Sequence, residues 1–125
     1  MISIDKMSRV PIYEQIETEI KDLIRTGILV PGDKILSVRA LSLKLSINPN
    51  TIQKAYLSLD RQGIINSVAA RGSFVSEKAL AILTKAERKR LPELETMMSE
   101  LLNAGIGKEE LQEALDNAVS RFENR

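Results

Sequence analysis

Two helical patterns separated by only three residues constrain this chain more than any other feature. The first covers about residues 37–45, with Ser37 placed to cap it and Val38, Leu41 and Leu45 forming an apolar stripe. The second starts at Asn48-Pro49. An asparagine side chain can accept from the free amides of a first turn, and proline there loses only an N–H that has no helical partner. Ile52, Ala55, Tyr56 and Leu59 give this helix an inward face, and Gly63 ends it. Ser46, Ile47 and Asn48 are the whole connection. So short a link makes the helices cross steeply, which is the helix-turn-helix arrangement.

The flanking segments complete a known form of that motif. Ile12, Ile16, Ile20, Leu23 and Ile24 share one face of a helix predicted over about residues 11–25, with Pro11 in its first turn and Gly27 at its stop. Val30-Pro31-Gly32-Asp33 reads as a tight turn. After Gly63, residues 64–68 and 73–75 have strand character, and Ala69-Ala70-Arg71-Gly72 reads as the hairpin turn between them. Three helices followed by a hairpin make a winged helix-turn-helix. The fold class is therefore mainly α with a small β-hairpin wing, plus C-terminal helices. A boundary is expected at Ser76, giving a winged helix-turn-helix domain over 1–76 and a two-helix element over 77–125. In the latter, Leu80, Leu83 and Ala86 open a helical pattern in which Thr84-Lys85-Ala86-Glu87 could form a capping box. Leu91, Leu94, Met98, Leu101 and Leu102 continue it to Gly105, with Pro92 either kinking it or starting a fresh helix. A last helix, about 108–122, carries Leu111, Leu115, Ala118, Val119 and Phe122 on one side. Two such helices cannot bury these stripes alone: they either meet a partner pair or fold back onto the winged domain.

Composition narrows the chemistry. The apolar 43% and charged 28% are those of a globular chain, not a disordered one. Without cysteine or histidine, disulfides and thiolate metal sites are excluded, and the commonest metal ligand and general base are missing. No paired carboxylates or activated nucleophile stand out, so neither an enzyme nor a cofactor or metal site is expected. No apolar run approaches the ~20 residues that cross a bilayer, and there is no secretory pattern, so the expected location is cytoplasmic, without a membrane partner. The net charge of +1 conceals an asymmetry. Up to Ser76 there are ten basic against seven acidic residues, and beyond it eight against ten. Between Lys34 and Ser76 the single acid is Asp60, beside Lys34, Arg39, Lys44, Lys54, Arg61 and Arg71. Such a stretch suits a polyanion, although an ordinary solvated surface would look similar.

The candidate site follows from how a helix-turn-helix meets double-stranded DNA: the start of its second helix enters the major groove. Asn48, Pro49, Asn50, Thr51, Gln53 and Lys54 occupy that start. Asn and Gln carry a paired donor and acceptor that match adenine, Thr and Lys suit phosphates or base edges, and the free backbone amides there suit a phosphate. Arg39 opens the preceding helix, which crosses the backbone, and is assigned a phosphate or groove contact. Arg71, beside Gly72 at the hairpin tip, is placed to reach a minor groove, whose potential attracts arginine. A winged domain that meets a protein instead is the alternative.

These residues together resemble the GntR family of bacterial transcription regulators. The resemblance rests on residues 11–16, on Ile24 and Gly27, on 29–35, on Ser37-Val38-Arg39, on 48–56, on Gly63-Ile64-Ile65 and on 71–75, in order and without gaps. It implies that Arg39 and the early residues of the third helix contact DNA and that Arg71-Gly72 is the wing tip. Two residues depart from the pattern. Leu36 stands where proline is usual, which predicts a looser start to the second helix, and Ala70 stands where glycine is common, which predicts a less adaptable wing. The short C-terminal part is similar to the YtrA-type branch, which implies a homodimer on a palindromic operator, often of a transporter operon. A small-molecule effector, unknown in kind, is compatible with this reading.

Overall fold

The computed structural model describes residues 2–124, which divide after Ala86 into two compact units. Helix α1 (Ile12–Arg25) buries Ile16, Ile20 and Ile24 at one-turn spacing, as its apolar stripe dictates. Helix α2 (Val38–Leu45) is capped by Ser37, whose hydroxyl accepts from the Ala40 amide at 3.0 Å. The Leu36 carbonyl just before it accepts from the Tyr56 hydroxyl at 2.6 Å. The start of α2 is thus held at two points, and the looseness expected from Leu36 is not found. Ser46 turns the chain with φ 55°, and the buried Ile47 plugs the corner while its carbonyl accepts from the Ser42 hydroxyl. Helix α3 (Pro49–Arg61) then crosses α2 and buries Ile52, Ala55, Tyr56 and Leu59, the four residues expected to face inward.

The wing contains one strand more than the sequence reveals. β1 (Lys34–Ile35), β2 (Ile65–Val68) and β3 (Gly72–Val75) form an antiparallel sheet with β3 in the middle. Lys34 lies opposite Phe74 and Ile35 opposite Ser73, while β2 pairs from Ile65–Val75 to Val68–Gly72. Two residues are too few for alternation to show, so β1 exists only through its pairing with β3. The pairing is extended by the Gly32 amide to the Val75 carbonyl and the Val75 amide to the Asp33 carbonyl, both 2.8 Å.

Helix α4 (Ala79–Arg88) belongs chiefly to this first unit. Ala79 and Leu83 are buried in its core with residues of α1 and α3, so the unit runs to Ala86 instead of ending at Ser76. A Cβ on Gly63 would come within 3.0 Å of Ile82 Cδ1, so α4 sits close over the end of α3. Residues 84–87 lie inside α4, where the helix ladder already takes the amides, and the capping box expected there does not form. In the second unit α5 (Leu91–Asn103) starts afresh with Pro92 in its first turn, and α6 (Lys108–Glu123) follows Gly107. Neither α5 nor α6 contains a buried residue.

Candidate nucleic-acid interface

The geometry of α3 begins with its cap. Asn48 Oδ1 accepts from the Asn50 amide at 2.8 Å, which fixes the first turn and commits one face of the Asn48 amide group to the fold. Pro49 continues the turn without an N–H to satisfy. Asn50, Gln53 and Lys54 follow on the exposed side, with Thr51 half-buried. Their side-chain donors have no hydrogen-bond partner among the described residues. Helix polarity adds a partial positive charge at this end. The result is an exposed set of amide and ammonium donors on a rigid, capped support.

One of these donors is positioned by a residue that sequence reasoning gave no role. Lys54 Nζ lies 4.0 Å from the centroid of the Tyr13 ring, a cation–π contact from α3 to α1. Tyr13, Asn50, Thr51 and Lys54 share one shallow concavity with Ile12. The Tyr13 hydroxyl donates to Glu14 Oε1 at 3.2 Å, and that bond together with the Glu14 charge raises the phenol above its ordinary value. Lys6 is a second such residue: its ammonium donates to the Ser46 carbonyl at 3.4 Å, against the turn between α2 and α3. The segment bearing Lys6 is held by Gln15, whose amide accepts from the Asp5 amide at 2.8 Å and donates to the Asp5 and Val10 carbonyls at 2.9 Å. Both contacts are tertiary, joining residues 40 or more positions apart, and no local spacing marks them.

Arg39 and Arg71 stand on separate elements. Arg39 is exposed in the first turn of α2, and Arg71 is exposed in the three-residue loop between β2 and β3. Among the described residues neither forms an ion pair. The Arg71 amide donates to the Val68 carbonyl at 3.0 Å, and Ala70 sits at φ 67°, so the wing tip is a defined turn. Gly72 has a packing role: with φ 115°, any Cβ there would lie 2.8 Å from Lys34 Cε, whose stem crosses it from β1. Asp60, the single acid between Lys34 and Ser76, accepts from the Ser67 amide at 2.9 Å and ties the wing to α3. Its charge is engaged in the fold at the end of α3 away from Asn50 and Lys54.

Among the described residues no group of three or more acidic side chains stands together as a metal site, and no helix is long and apolar enough to cross a membrane. The arrangement offers hydrogen-bond donors and positive charge rather than reactive groups.

Comparison with known proteins agrees with this geometry. Residues 12–75 match the family described as bacterial regulatory proteins, gntR family. The HTH-type transcriptional repressor YtrA of Bacillus subtilis is 42% identical over 114 residues, covering 90% of this chain and 88% of that protein. The crystal structure of a transcriptional regulator from Oenococcus oeni superposes with a TM-score of 0.74 at 26% identity, covering 95% of this chain and 99% of the other. The DNA-binding domain of AraR, solved in complex with its operator ORX1, matches at 32% identity and a TM-score of 0.54, over 59% of this chain and 92% of that one. The chain belongs to the gntR family of bacterial regulatory proteins: it is a DNA-binding transcription regulator and not an enzyme.

Proposed function

We propose that the protein is a homodimeric transcriptional repressor that places the start of α3 in the major groove of a palindromic operator. The observation that carries this reading is the capped, exposed first turn and a half of α3, where the Asn50 and Gln53 side chains form no hydrogen bond among the described residues and the Lys54 ammonium is held over the Tyr13 ring. In this reading Asn50 and Gln53 read base edges, and Thr51 and Lys54 contact base edges or phosphates. Asn48 and Pro49 fix the helix start against the duplex. Arg39 clamps a phosphate from α2, and Arg71 enters the adjacent minor groove, with Gly72 allowing the wing to be held by Lys34. The similar DNA-binding domain of AraR, solved in complex with an operator, supports DNA as the partner of this unit.

The dimer is assigned to α5 and α6. Leu94, Met97 and Leu115 are 49%, 58% and 55% exposed, and a helix pair without any buried residue has no core of its own. A two-fold protein implies a two-fold operator. YtrA, a similar repressor, supports repression as the outcome, and the target proposed from the family resemblance is an operon for a membrane transporter. The protein then works in the cytoplasm, where the chromosome is.

The test is selection of genomic DNA fragments by the purified full-length protein at near-physiological salt with competitor DNA. Enrichment of one short palindrome is expected. A folded protein that enriches none would turn the reading toward a winged domain that meets another protein.

A further inference from the structure

Inside the first unit, where α1, β1, α2 and α3 meet, lies a cavity of about 230 Å³. Ile20 and Leu23 of α1, Ile35 of β1, Leu41 and Leu45 of α2 and Tyr56 of α3 line its walls. Among the described residues that line it, Lys34 and Lys44 are charged, both at its edge, and none is acidic. Among the described residues neither lysine forms an ion pair. An aliphatic chamber with unpaired cations is complementary to an amphipathic anion. The apolar body leaves water, the lysine stems continue the apolar wall, and the ammonium groups give the headgroup charge-assisted hydrogen bonds. A dry cavity of about 150 Å³ is enough for benzene, so this one admits a somewhat larger body.

We infer that this cavity binds a small amphipathic monoanion, a carboxylate of medium chain length, and that its occupancy weakens DNA binding. The second half rests on the proposed reading of α3 and the wing. The cavity touches both. Leu41, Leu45 and Tyr56 belong to the two helices of the helix-turn-helix, and Tyr56 also holds the Leu36 carbonyl at the start of α2. Lys34 crosses Gly72 at the base of the wing tip. A headgroup that draws on Lys34 and Lys44 neutralises two cations of the acid-poor stretch and competes with the seat of Lys34 on the wing. By linkage, DNA disfavours the anion as much as the anion disfavours DNA.

The experiment titrates ¹⁵N-labelled full-length protein, without DNA, with sodium octanoate, 1-octanol and sodium acetate. Octanoate is expected to give saturable amide shifts at Ile35, Leu41, Leu45 and Tyr56, octanol to bind about tenfold more weakly, and acetate to have no effect. The double variant Lys34→Gln, Lys44→Gln should lose about tenfold in octanoate affinity and keep its octanol affinity, with spectral changes confined to the substituted positions and the neighbouring wing. Absence of saturable shifts at millimolar octanoate, or equal octanoate binding by the variant, overturns the site. On the selected DNA, octanoate should lower the affinity of the wild type severalfold and leave that of the variant unchanged; an unmoved wild type overturns the regulatory role. Because the first arm contains no DNA, its failure leaves the repressor reading intact, and a failed DNA selection leaves the first arm readable.

Discussion

Lys54 reaches its position through a neighbour on another helix. A lysine stem has several rotatable bonds, and the Tyr13 ring 4.0 Å from its ammonium limits where that charge can go. Tyr13→Phe keeps the ring face and should bind DNA like the wild type, while Tyr13→Leu removes it and should cost ~0.5–1 kcal/mol. In a Lys54→Ala background Tyr13→Leu should cost nothing further, and a full cost there in anisotropy titrations would disprove the coupling. Among the described residues Arg39 forms no ion pair, so Arg39→Ala should weaken DNA binding by at least ~1 kcal/mol with an unchanged melting temperature. Equal affinity in the folded variant would remove its phosphate role. Tyr56 makes a different kind of prediction. Burial pushes its phenol up to about 12, which favours the neutral form in the folded state. Its contribution is therefore complete below pH 10 and is lost as pH rises through about 12, by roughly 2–3 kcal/mol at most. Urea unfolding at pH 9 and pH 11 should show a smaller pH-dependent loss for Tyr56→Phe than for the wild type.

Elements whose ends carry their own chemistry were legible, and those made by distant partners were not. Asn48 and Pro49 announce the start of α3, and the cap bond at 2.8 Å forms where that pair places it. β1 carries no such mark, because Lys34 and Ile35 become a strand only by lying beside Phe74 and Ser73. The Thr84–Glu87 pattern misled for the same reason. Burial of Ala79 and Leu83 starts α4 earlier, and a polar tetrad inside a formed helix has no free amides to cap. Of the proposed DNA-reading residues, those on α3 were visible as a group, whereas the packing role of Gly72 needs the position of Lys34. The wing tip yields a stability prediction at this scale. Ala70 holds φ 67°, a left-handed conformation that costs a non-glycine residue ~1–2 kcal/mol. Ala70→Gly relieves that cost and adds ~0.4–1 kcal/mol of unfolded-state entropy, for a net gain of about 0.5 kcal/mol. Ala70→Val should lose at least ~1 kcal/mol, since a β-branched side chain fits positive φ poorly. Denaturant midpoints that rank Val above Gly would contradict the turn geometry.

At the scale of the whole molecule the two units have opposite characters. The first has a core of its own that includes Ile16 and Leu83, whereas α5 and α6 contain no buried residue although Leu91, Leu94, Met97, Leu101 and Leu102 recur at helical spacing along α5. A chain cut after Ala86 keeps the core and should fold, whereas one cut after Ser76 loses Ala79 and Leu83. Losing those two should cost several kcal/mol, because removing a buried leucine side chain alone costs ~2–5 kcal/mol. Residues 1–86 should therefore give a folded monomer by analytical ultracentrifugation, and the full chain a dimer. The DNA consequence follows from linkage of half-sites. Two α3 helices held together bind one palindrome with the second contact made intramolecular, so separating them should lower operator affinity by ~10²-fold or more. The salt dependence should fall as well, because a monomer neutralises about half as many phosphates. A folded 1–86 fragment that dimerises, or that binds the operator as tightly as the full chain, would move the dimer contact out of α5 and α6 and into the winged unit.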